Sequence, residues 1–495
     1  MSLGGLDIGS TGCKVTVYDE EGNYLYRTYR DYPVSRKTGE HEVMAEDIWK
    51  GVREVLADAG SHYPDLKALG VTSFGESCVL LDEEDRPIRA VLLYTDPRGS
   101  EECRELEAAL GREKLERITG VAPHSMYSLP KLMWIRKHRP EQFGRAKRIL
   151  MMEDYIIYML TGSAVIDYSL ATRSMGFDIR ALEWSQEVFQ AAGIDSGLFS
   201  RPVRSGTPAG TVRPEMAKAL GLPEGLLLVP AGHDQAAAAV GSGVFKADRA
   251  VDMAGTVECI TPVFEGIPED RRIYDGGYAI VPYVIPGNYV TYAFTFSGGA
   301  LVSWFINNFA KEEKRRAKEL GCSVYELLEE GMKDGPTGIL VLPHFAGAGT
   351  PYMDGGSKGA VVGLTLDHSA SDLYRAMMEG VTYEMMVNME HLAEVGIRPQ
   401  KLRAAGGGAA SAVWMQMKAD MLNLPIVSLG NAEAGAAGCA MLAGVAAGVY
   451  KDLSEAAWTM LKEKDTYLPR QEMHEAYQEY YEKYRRLYEA SRPLV

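Results

Sequence analysis

The hydrophobic pattern of the chain begins with strand-like segments. Apolar residues alternate with polar or small ones over residues 4–9, 13–18 and 24–32, and glycine-containing turns separate these segments. A period of two with such turns predicts an antiparallel hairpin meander. A helix is predicted over residues 45–59, where apolar residues recur at helical spacing, and an apolar strand over residues 68–73 follows it. The chain therefore opens as an α/β domain.

A second unit of the same kind occurs midway along the chain. A strand over residues 250–254 is broken by Gly255-Thr256 and resumes over residues 258–264. This order of strand, turn and strand repeats that of residues 4–18, which indicates an internal duplication. Since 495 residues also exceed the size of a single hydrophobic core, two domains are predicted, residues 1–246 and residues 247–495.

The C-terminal half continues the α/β pattern. A strand is predicted over residues 338–342, a Gly/Pro-rich loop over 347–356 and a helix from Ser371 to about Leu392. The uncharged run 434–450 consists mostly of Ala and Gly and is too short to cross a membrane, so it predicts a helix packed closely on a sheet. The tail, residues 472–491, predicts an amphipathic helix.

Charge and cysteine usage narrow the possible partners. The formal net charge of −15 argues against binding nucleic acid or an anionic membrane, because either would be repelled. Six cysteines lie far apart without zinc-ligand spacing, which is typical of reduced thiols in a cytosolic protein. The first residues lack a basic segment followed by an apolar one, so no signal peptide is predicted and we expect a cytoplasmic protein.

Several common motifs are missing from the sequence. It contains no G-x-x-x-x-G-K-[ST] loop, and neither a G-x-G-x-x-G nor a G-x-S-x-G that is well placed after a strand. P-loop, dehydrogenase and hydrolase functions are therefore disfavoured.

Two turns are candidate phosphate-binding elements. In the segment from Asp7 to Lys14, glycines permit close approach of the backbone to oxygen atoms, and Asp7 is placed to hold Mg²⁺ directly or through water. A tight hairpin turn explains this segment equally well. Gly255-Thr256 is the corresponding turn of the second unit, and a duplication that brings the two hairpins face to face would clamp a phosphate chain from both sides.

Two further segments are candidates for nucleotide binding and for catalysis. The run from Gly406 to Ser411 precedes a helix and allows a flat ring to lie against the backbone, although close packing of a helix on a strand is the alternative. Asp234 follows the strand 226–230 in the polar turn 232–235. A carboxylate there is suited to accept a hydroxyl proton during phosphoryl transfer, and the alternative role is a helix N-cap.

With these residues in view, the chain resembles the FGGY carbohydrate kinases from end to end. Residues 126–138 are similar to one family signature, with Ser128, Lys131 and Trp134 in place, and residues 359–379 are similar to another. The resemblance implies an α/β fold, a duplicated ribonuclease-H-like (actin-like ATPase) architecture with two domains around a central cleft. It also implies ATP and a sugar as substrates and Mg²⁺ as cofactor.

The resemblance also implies roles for individual residues. Asp234 matches the catalytic base. The residues that match substrate contacts are Glu76, Ser77, Asp96 and Gln235. The residues that match the ATP site are Asp7, Gly9, Ser10, Thr11, Lys14, Gly255, Thr256, Gly299, Gly406, Gly407 and Ser411. Asp7 would also hold Mg²⁺.

Departures from the family pattern bear on the substrate. Glu76-Ser77 replaces the Met-His pair typical of xylulokinases, and Gly75 replaces the arginine that precedes the glutamate of glycerol kinases. The loop at 344–354 lacks a common Glu-Arg pair, and Glu258 replaces a small residue after the second turn. An acid near the acceptor pocket disfavours anionic sugars by repulsion.

The predicted function is ATP-dependent phosphorylation of a small sugar or polyol, and a neutral ketose such as xylulose is the favoured substrate. Gluconate, glycerol, another ketose or another polyol stay open as substrates. The alternative from a different class is an actin-like or chaperone-like ATPase without sugar kinase activity. It would share both phosphate turns, but it would not explain the predicted sugar contacts Glu76, Asp96 and Gln235. The small-molecule substrate is the expected partner, and the sequence leaves monomer and homodimer open.

Overall fold

The computed structural model describes residues 1–430 and 433–494 and groups them into two compact units. Unit 1 consists of Met1–Phe245, Ala279–Val290 and Glu433–Leu461, and unit 2 consists of the described residues of 246–278, 291–430 and 462–494. The chain thus leaves unit 1 after Phe245 and returns to it twice. The sequence-based division into 1–246 and 247–495 treats each half as continuous and stays a prediction.

The strands are numbered in chain order: β1 Ser2–Ile8, β2 Gly12–Asp19, β3 Tyr24–Asp31, β4 Val34–Lys37, β5 Glu40–Val43, β6 Leu66–Ser73, β7 Cys78–Leu81, β8 Val91–Leu92, β9 Arg148–Met151, β10 Val165–Asp167, β11 Phe177–Asp178, β12 Glu183–Trp184, β13 Arg201–Val203, β14 Gly210–Thr211, β15 Leu227–His233, β16 Arg249–Ala254, β17 Glu258–Glu265, β18 Val281–Pro282, β19 Asn288–Val290, β20 Ala293–Thr295, β21 Leu340–Leu342, β22 Ala360–Val362, β23 Lys401–Ala405, β24 Ile426–Leu429 and β25 Glu463–Tyr467.

The α-helices are numbered in the same way: α1 Ala45–His62, α2 Ser100–Leu110, α3 Arg112–Thr119, α4 Ser128–His138, α5 Pro140–Gly144, α6 Met152–Thr161, α7 Tyr168–Thr172, α8 Gln186–Ala192, α9 Pro214–Leu220, α10 Asp234–Gly241, α11 Arg272–Asp275, α12 Gly299–Asn308, α13 Lys311–Leu320, α14 Val324–Glu330, α15 Ala370–Glu394, α16 Ala412–Leu422, α17 Ala434–Ala446, α18 Leu453–Met460, α19 Gln471–Tyr484 and α20 Leu487–Ser491.

A mixed sheet forms the centre of unit 1. Its strand order is β14-β15-β6-β1-β2-β3, in which β1, β2 and β3 are antiparallel neighbours while β6 and β15 run parallel to β1. The predicted hairpin meander is therefore confirmed. Helix α1 covers one face of this sheet through its apolar stripe, which includes Ile48 and Val52, and both side chains are completely buried.

Unit 2 repeats this arrangement of strands. Strand β17 pairs antiparallel with β16 and with β20, and β23 and β24 extend the sheet as parallel strands on the other side of β16. The outermost strand, β25, is antiparallel to β24, just as β14 is antiparallel to β15. The two units therefore share one sheet topology, which confirms the internal duplication. The hairpin turns 9–11 and 255–257 occupy equivalent places.

Helix α17 confirms the prediction for the small-residue run, and it belongs to unit 1. A Cβ on Gly5 of β1 would lie 2.2 Å from the backbone oxygen of Ala436, and one on Gly70 of β6 would lie 2.3 Å from that of Cys439. Only glycine permits this separation, so helix backbone and strand backbone are in direct contact. Among the helices of residues 1–430 and 433–494, none combines the length and apolar character that crossing a membrane requires.

One local prediction is wrong. Residues 232–235 were expected to form a polar turn, but β15 continues to His233 and α10 begins at Asp234 without an intervening loop. The physical reason is a shift in the pairing of β15 with β6 just before Gly232. It lets the strand bend into the helix directly.

Candidate active site

Asp234 stands where strand β15 passes into helix α10. Because the pairing with β6 shifts just before Gly232, two backbone donors next to Asp234 turn to side chains instead. The N–H of Gly232 donates to Oε1 of Glu153 at 2.5 Å, and the N–H of His233 donates to Oγ of Ser169 at 2.9 Å. These bonds fix the direction in which Asp234 leaves the strand.

A buried hydrogen-bond network supports this bend. The hydroxyl of Ser169 donates to Asp167 at 2.9 Å, and the N–H of Asp167 donates to Glu153 at 3.3 Å. On the other side, Thr72 of the neighbouring strand donates its hydroxyl to the carbonyl of Gly232 at 2.6 Å. Burial, followed by the nearby Asp167, raises the pKa of Glu153 well above its ordinary value. The network is thus specific to one backbone geometry.

The environment of the Asp234 carboxyl is set by burial and by nearby charges. Its Oδ1 atom is buried and has no hydrogen-bond donor within the described residues. Partial burial raises the pKa of Asp234 to about 6, although the Gln235 N–H, Arg173 and Lys14 act in the opposite direction. Nε2 of His233 lies 3.4 Å from Oδ1 of Asp234. Burial lowers the pKa of His233 to about 3, so its imidazole is neutral.

Glu76 and Arg173 form a buried ion pair close to Asp234. Both Nε and Nη2 of Arg173 donate to Oε1 of Glu76. The guanidinium carbon also lies 5.1 Å from the ring centroid of Tyr127, which adds a cation–π contact. Burial and then the carboxylates of Glu76 and Asp234 raise the pKa of Tyr94, whose phenol is therefore near enough to interact with both groups.

The other predicted substrate contacts have different environments. Oγ of Ser77 and Oε1 of Gln235 are buried and have no hydrogen-bond partner among the described residues, as expected of groups that bind a ligand. Asp96 is already engaged: Arg98 contacts it at 2.6 Å, and the N–H of His41 donates to it at 2.7 Å. Its position supports the backbone of this segment at least as well as it suits direct sugar contact.

Lys131 explains part of the family signature at 126–138. Its Nζ atom is buried and donates to the carbonyl of Asp96 at 2.6 Å. Burial lowers the pKa of Lys131 to about 8. The signature lysine therefore holds the backbone at Asp96, one of the predicted substrate residues.

The first predicted phosphate turn is a tight hairpin between β1 and β2. The N–H of Gly9 donates to the carbonyl of Gly12 at 2.9 Å, and the hydroxyl of Tyr32 donates to the carbonyl of Gly9. Ser10 is partly exposed and Thr11 is exposed at the tip. The segment is therefore a tight hairpin turn with an exposed tip, and phosphate binding at that tip stays a prediction.

Two acidic residues hold Lys14 beside this turn. Its Nζ atom lies 3.1 Å from Oδ2 of Asp7 and 2.6 Å from Oε2 of Glu433, and Arg27 contacts Glu433 at 3.2 Å. Burial lowers the pKa of Lys14, but the two acids outweigh it and the net shift is upward. For Asp7, burial raises the pKa and outweighs the opposing effect of Lys14.

The residues around Asp7 suit a magnesium ion that keeps most of its water. Within residues 1–430 and 433–494, no group of three or more His, Cys, Asp or Glu side chains is arranged to hold a metal. Asp7 and Asp234 are nonetheless close enough for their charges to interact. Mg²⁺ commonly binds through one or two carboxylates together with water and substrate phosphates, and this donor set fits.

Unit 2 brings three predicted nucleotide segments together. The N–H of Gly299, at the start of α12, donates to the carbonyl of Gly255 at 2.8 Å, and the next N–H donates to that of Thr256 at 3.1 Å. On the other side, a Cβ on Gly406 would lie 2.8 Å from the carbonyl oxygen of Ala254, at a φ of +90°. Glycine is therefore required where the loop 406–411 crosses the second hairpin.

Ser411 has a structural role at this place. It is the N-cap of α16, accepts a hydrogen bond from the Trp414 N–H at 3.2 Å and donates its hydroxyl to Glu329 at 2.8 Å. The hydroxyl is thus engaged, so the predicted contact with a nucleotide ring depends on a change of partner. That contact stays a prediction.

Several residues at these sites were missed by sequence reasoning. They are partners contributed by distant parts of the chain, and no local motif marks them: Glu153, Ser169, Arg173, Glu433 and Lys418. Tyr94 is different, because it lies two residues before Asp96, which the sequence predicts as a substrate contact. This nearness in sequence is a signal that could have identified Tyr94.

Comparison with known proteins identifies the family. Residues 2–241 match the N-terminal domain and residues 274–447 the C-terminal domain of the FGGY family of carbohydrate kinases. The chain belongs to this family. It is therefore an ATP-dependent kinase of a small sugar or polyol.

Individual relatives of this FGGY kinase resemble it along nearly its whole length. A xylulose kinase of Escherichia coli (strain K12) is 29% identical over 483 residues, covering 96% of this chain and 96% of that protein. An autoinducer-2 kinase of Escherichia coli O9:H4 (strain HS) is 28% identical, covering 95% and 91%. The solved xylulose kinase of Rhodospirillum rubrum, 25% identical, matches with a TM-score of 0.88 and covers 100% and 99%.

Proposed function

We propose that this kinase phosphorylates a neutral ketose such as xylulose and that Asp234 accepts the proton of the attacking hydroxyl. The observation that carries the proposal is the Asp234 carboxyl itself. Its Oδ1 atom is buried without a donor in the described residues, and beside it Oε1 of Gln235 is in the same state. Two adjacent acceptors without partners suit a substrate that brings hydroxyl groups.

The charges around Asp234 favour a neutral substrate. The two nearby cations are already paired, Arg173 with Glu76 and Lys14 with Asp7 and Glu433. An aldonate carboxylate would have to displace one of these acids. Repulsion by an acid near the acceptor pocket is a weaker reason, because Arg173 offsets the charge of Glu76. The pairing of both cations with acids is therefore the better reason.

The reaction then follows from the chemistry of phosphoryl transfer. The hydroxyl oxygen of the sugar attacks the γ-phosphorus of ATP, the bond from that phosphorus to the bridging oxygen breaks, and ADP leaves. The hydroxyl proton passes to Oδ1 of Asp234. In each unit, the tip of the hairpin turn, residues 9–11 or 255–257, offers N–H groups and hydroxyls to phosphate oxygens. Mg²⁺ held near Asp7 would neutralise phosphate charge when bound.

The substrate assignment is tested by measuring ADP release with ketopentoses, ketohexoses, polyols, aldonates and autoinducer-2 at equal concentrations. We expect the highest kcat/KM with a neutral ketose and at least tenfold less with gluconate. A preference for an aldonate would contradict the proposal, and a preference for autoinducer-2 would replace xylulose with the substrate named for the other relative.

The role of Asp234 is tested by Asp234→Asn. Turnover with saturating sugar should fall by roughly 10²–10⁴-fold, the usual contribution of a general base, while the Kd for ADP stays within about twofold. The folded state should not be weakened, since a carboxyl whose pKa is raised by folding loses stability as pH rises from about 4 to 6. Near-normal turnover in this variant would refute the assignment.

A further inference from the structure

A buried lysine links the second phosphate hairpin to the helix that follows the loop 406–411. Nζ of Lys418 donates to Oδ2 of Asp252 at 2.7 Å and to Oε1 of Glu258. The three side chains are 0–1% exposed. Charged groups without access to water are rarely kept unless each has a partner, so this cluster calls for an explanation.

The sequence places the two acids on one face of the hairpin. Ala254 pairs with Glu258 and Asp252 pairs with Ile260, so Asp252 and Glu258 are diagonal neighbours on the same side of β16 and β17. Lys418 follows Trp414 by one turn of α16, and its Nζ lies 4.9 Å from the centroid of the Trp414 ring. The lysine therefore reaches the hairpin from the helix.

The protonation of Glu258 decides the net charge of the cluster. Burial, followed by the charge of Asp252, raises the pKa of Glu258 well above its ordinary value. Burial lowers the pKa of Lys418, but the two acids outweigh burial and its net shift is upward. Oδ1 of Asp252 and Oε2 of Glu258 are buried and have no hydrogen-bond partner among the described residues. A protonated Glu258 that donates to Asp252 leaves the three groups with no net charge.

The cluster joins two segments that are assigned to the nucleotide. Glu258 comes two residues after Thr256, and Lys418 lies on the helix that begins at the end of the loop 406–411. A Cβ on Gly408 would lie 2.9 Å from Cβ of Ala254, so loop and hairpin are also in direct contact. A movement of α16 relative to the hairpin would therefore change the distance between the two segments.

We propose that Lys418, Asp252 and Glu258 are positioning residues for the nucleotide, holding the turn 255–257 at a fixed distance from the loop 406–411. The proposal rests on the proposed function, which assigns both segments to ATP. None of the three side chains needs to touch the ligand, because each acts through the backbone that it anchors. Their effect should thus appear in nucleotide affinity and not in sugar affinity, since the predicted sugar contacts lie in unit 1.

The test compares three variants by the Kd for ADP and the KM for sugar. In Glu258→Gln, the amide donates to Asp252 and its oxygen accepts from Lys418, so we expect ADP affinity within twofold of wild type. Lys418→Met removes both bonds to the hairpin, and Glu258→Ala removes the one next to the turn. We expect the Kd for ADP to rise in both variants, at least tenfold in Lys418→Met, and the KM for sugar to stay within twofold. The same measurements remain possible with Glu258→Ala if Lys418→Met fails to fold.

Arg375→Met is the matched control for general damage to unit 2. Arg375 is a buried cation of α15 that pairs with Glu379 and Tyr477, neither of which belongs to the turn 255–257 or to the loop 406–411. It should lower the melting temperature as much as Lys418→Met but leave ADP affinity unchanged. Equal loss of ADP affinity in both variants, or wild-type affinity in Glu258→Ala, would overturn the proposal.

Thr256→Asp separates this proposal from the nucleotide assignment. An added carboxylate at the turn should repel phosphate and weaken ADP binding. If Thr256→Asp weakens ADP binding and Lys418→Met does not, the positioning role fails and the turn assignment stands. If ADP affinity is unchanged in both, the turn assignment itself fails, and the positioning role fails with it.

Discussion

The backbone N–H of Gly232 donates to Oε1 of Glu153 at 2.5 Å, two residues before Asp234. Gly232 has a φ of +95°, and a Cβ there would lie 2.4 Å from Oγ of Ser169. The bend that directs Asp234 thus depends both on the absence of a side chain and on buried acceptors. Neither feature is visible in the motif Gly-His-Asp-Gln alone.

Gly232→Ala should therefore impair catalysis beyond its effect on stability. The left-handed backbone costs an alanine roughly 1–2 kcal/mol, and the close contact with Ser169 displaces the strand end. We expect kcat to fall at least tenfold with a lower melting temperature. Gly225→Ala is the matched control, because φ is +78° there and nothing lies within 4 Å of the added Cβ. Equal kcat in the two variants would contradict the role of the bend.

The pH dependence of kcat/KM should show the titration of Asp234. The carboxyl must be deprotonated to accept a proton, and its pKa is raised to about 6. The rate should therefore be at its plateau near pH 7.5 and fall about tenfold per pH unit below pH 6. Steady-state kinetics at limiting sugar concentration measure this acid limb, the fall of kcat/KM at low pH. A plateau that extends unchanged to pH 5 would show that Asp234 is not the group that accepts the proton.

Removal of Arg173 should affect both the stability supplied by its ion pair with Glu76 and the pH at which kcat/KM begins to fall. In Arg173→Met, Glu76 loses its partner while buried, which costs roughly 3–5 kcal/mol, and the limb should move to higher pH because Arg173 lowers the pKa of Asp234. The double variant Glu76→Gln with Arg173→Met should recover most of the stability. Thermal unfolding and the pH profile together check this, and a double variant no more stable than the single one would contradict the pairing.

Much of the fold could be predicted from the sequence because it depends on local periodicity. The meander of residues 4–32, the equivalent hairpin at 250–264 and the small-residue helix α17 all have patterns confined to one segment. The return of α17 to unit 1 could not be predicted, since it depends on contacts between Gly5 and Ala436, far apart in sequence.

The candidate site was predictable where a motif names its own residues. Asp7, Lys14 and Asp234 are such cases, and the structure brings their charges within interaction range. The partners that set their environment, such as Arg173 and Glu433, come from remote segments with no distinctive pattern. Glu258 was recognised as unusual, but its meaning depends on Lys418, 160 residues away.

The contact of α17 with β1 gives the last prediction. Gly5→Ala places a Cβ 2.2 Å from the Ala436 carbonyl oxygen, and neither backbone can yield without separating the helix from the sheet. Such overpacking costs about 1–3 kcal/mol or more. In Gly4→Ala, the matched control on the opposite face of β1, the Cβ meets Cδ1 of Leu69 at 2.6 Å, a side-chain tip that is able to move. Urea unfolding should show a clearly lower midpoint for Gly5→Ala than for Gly4→Ala. Equal midpoints would mean that helix and strand are not in direct backbone contact.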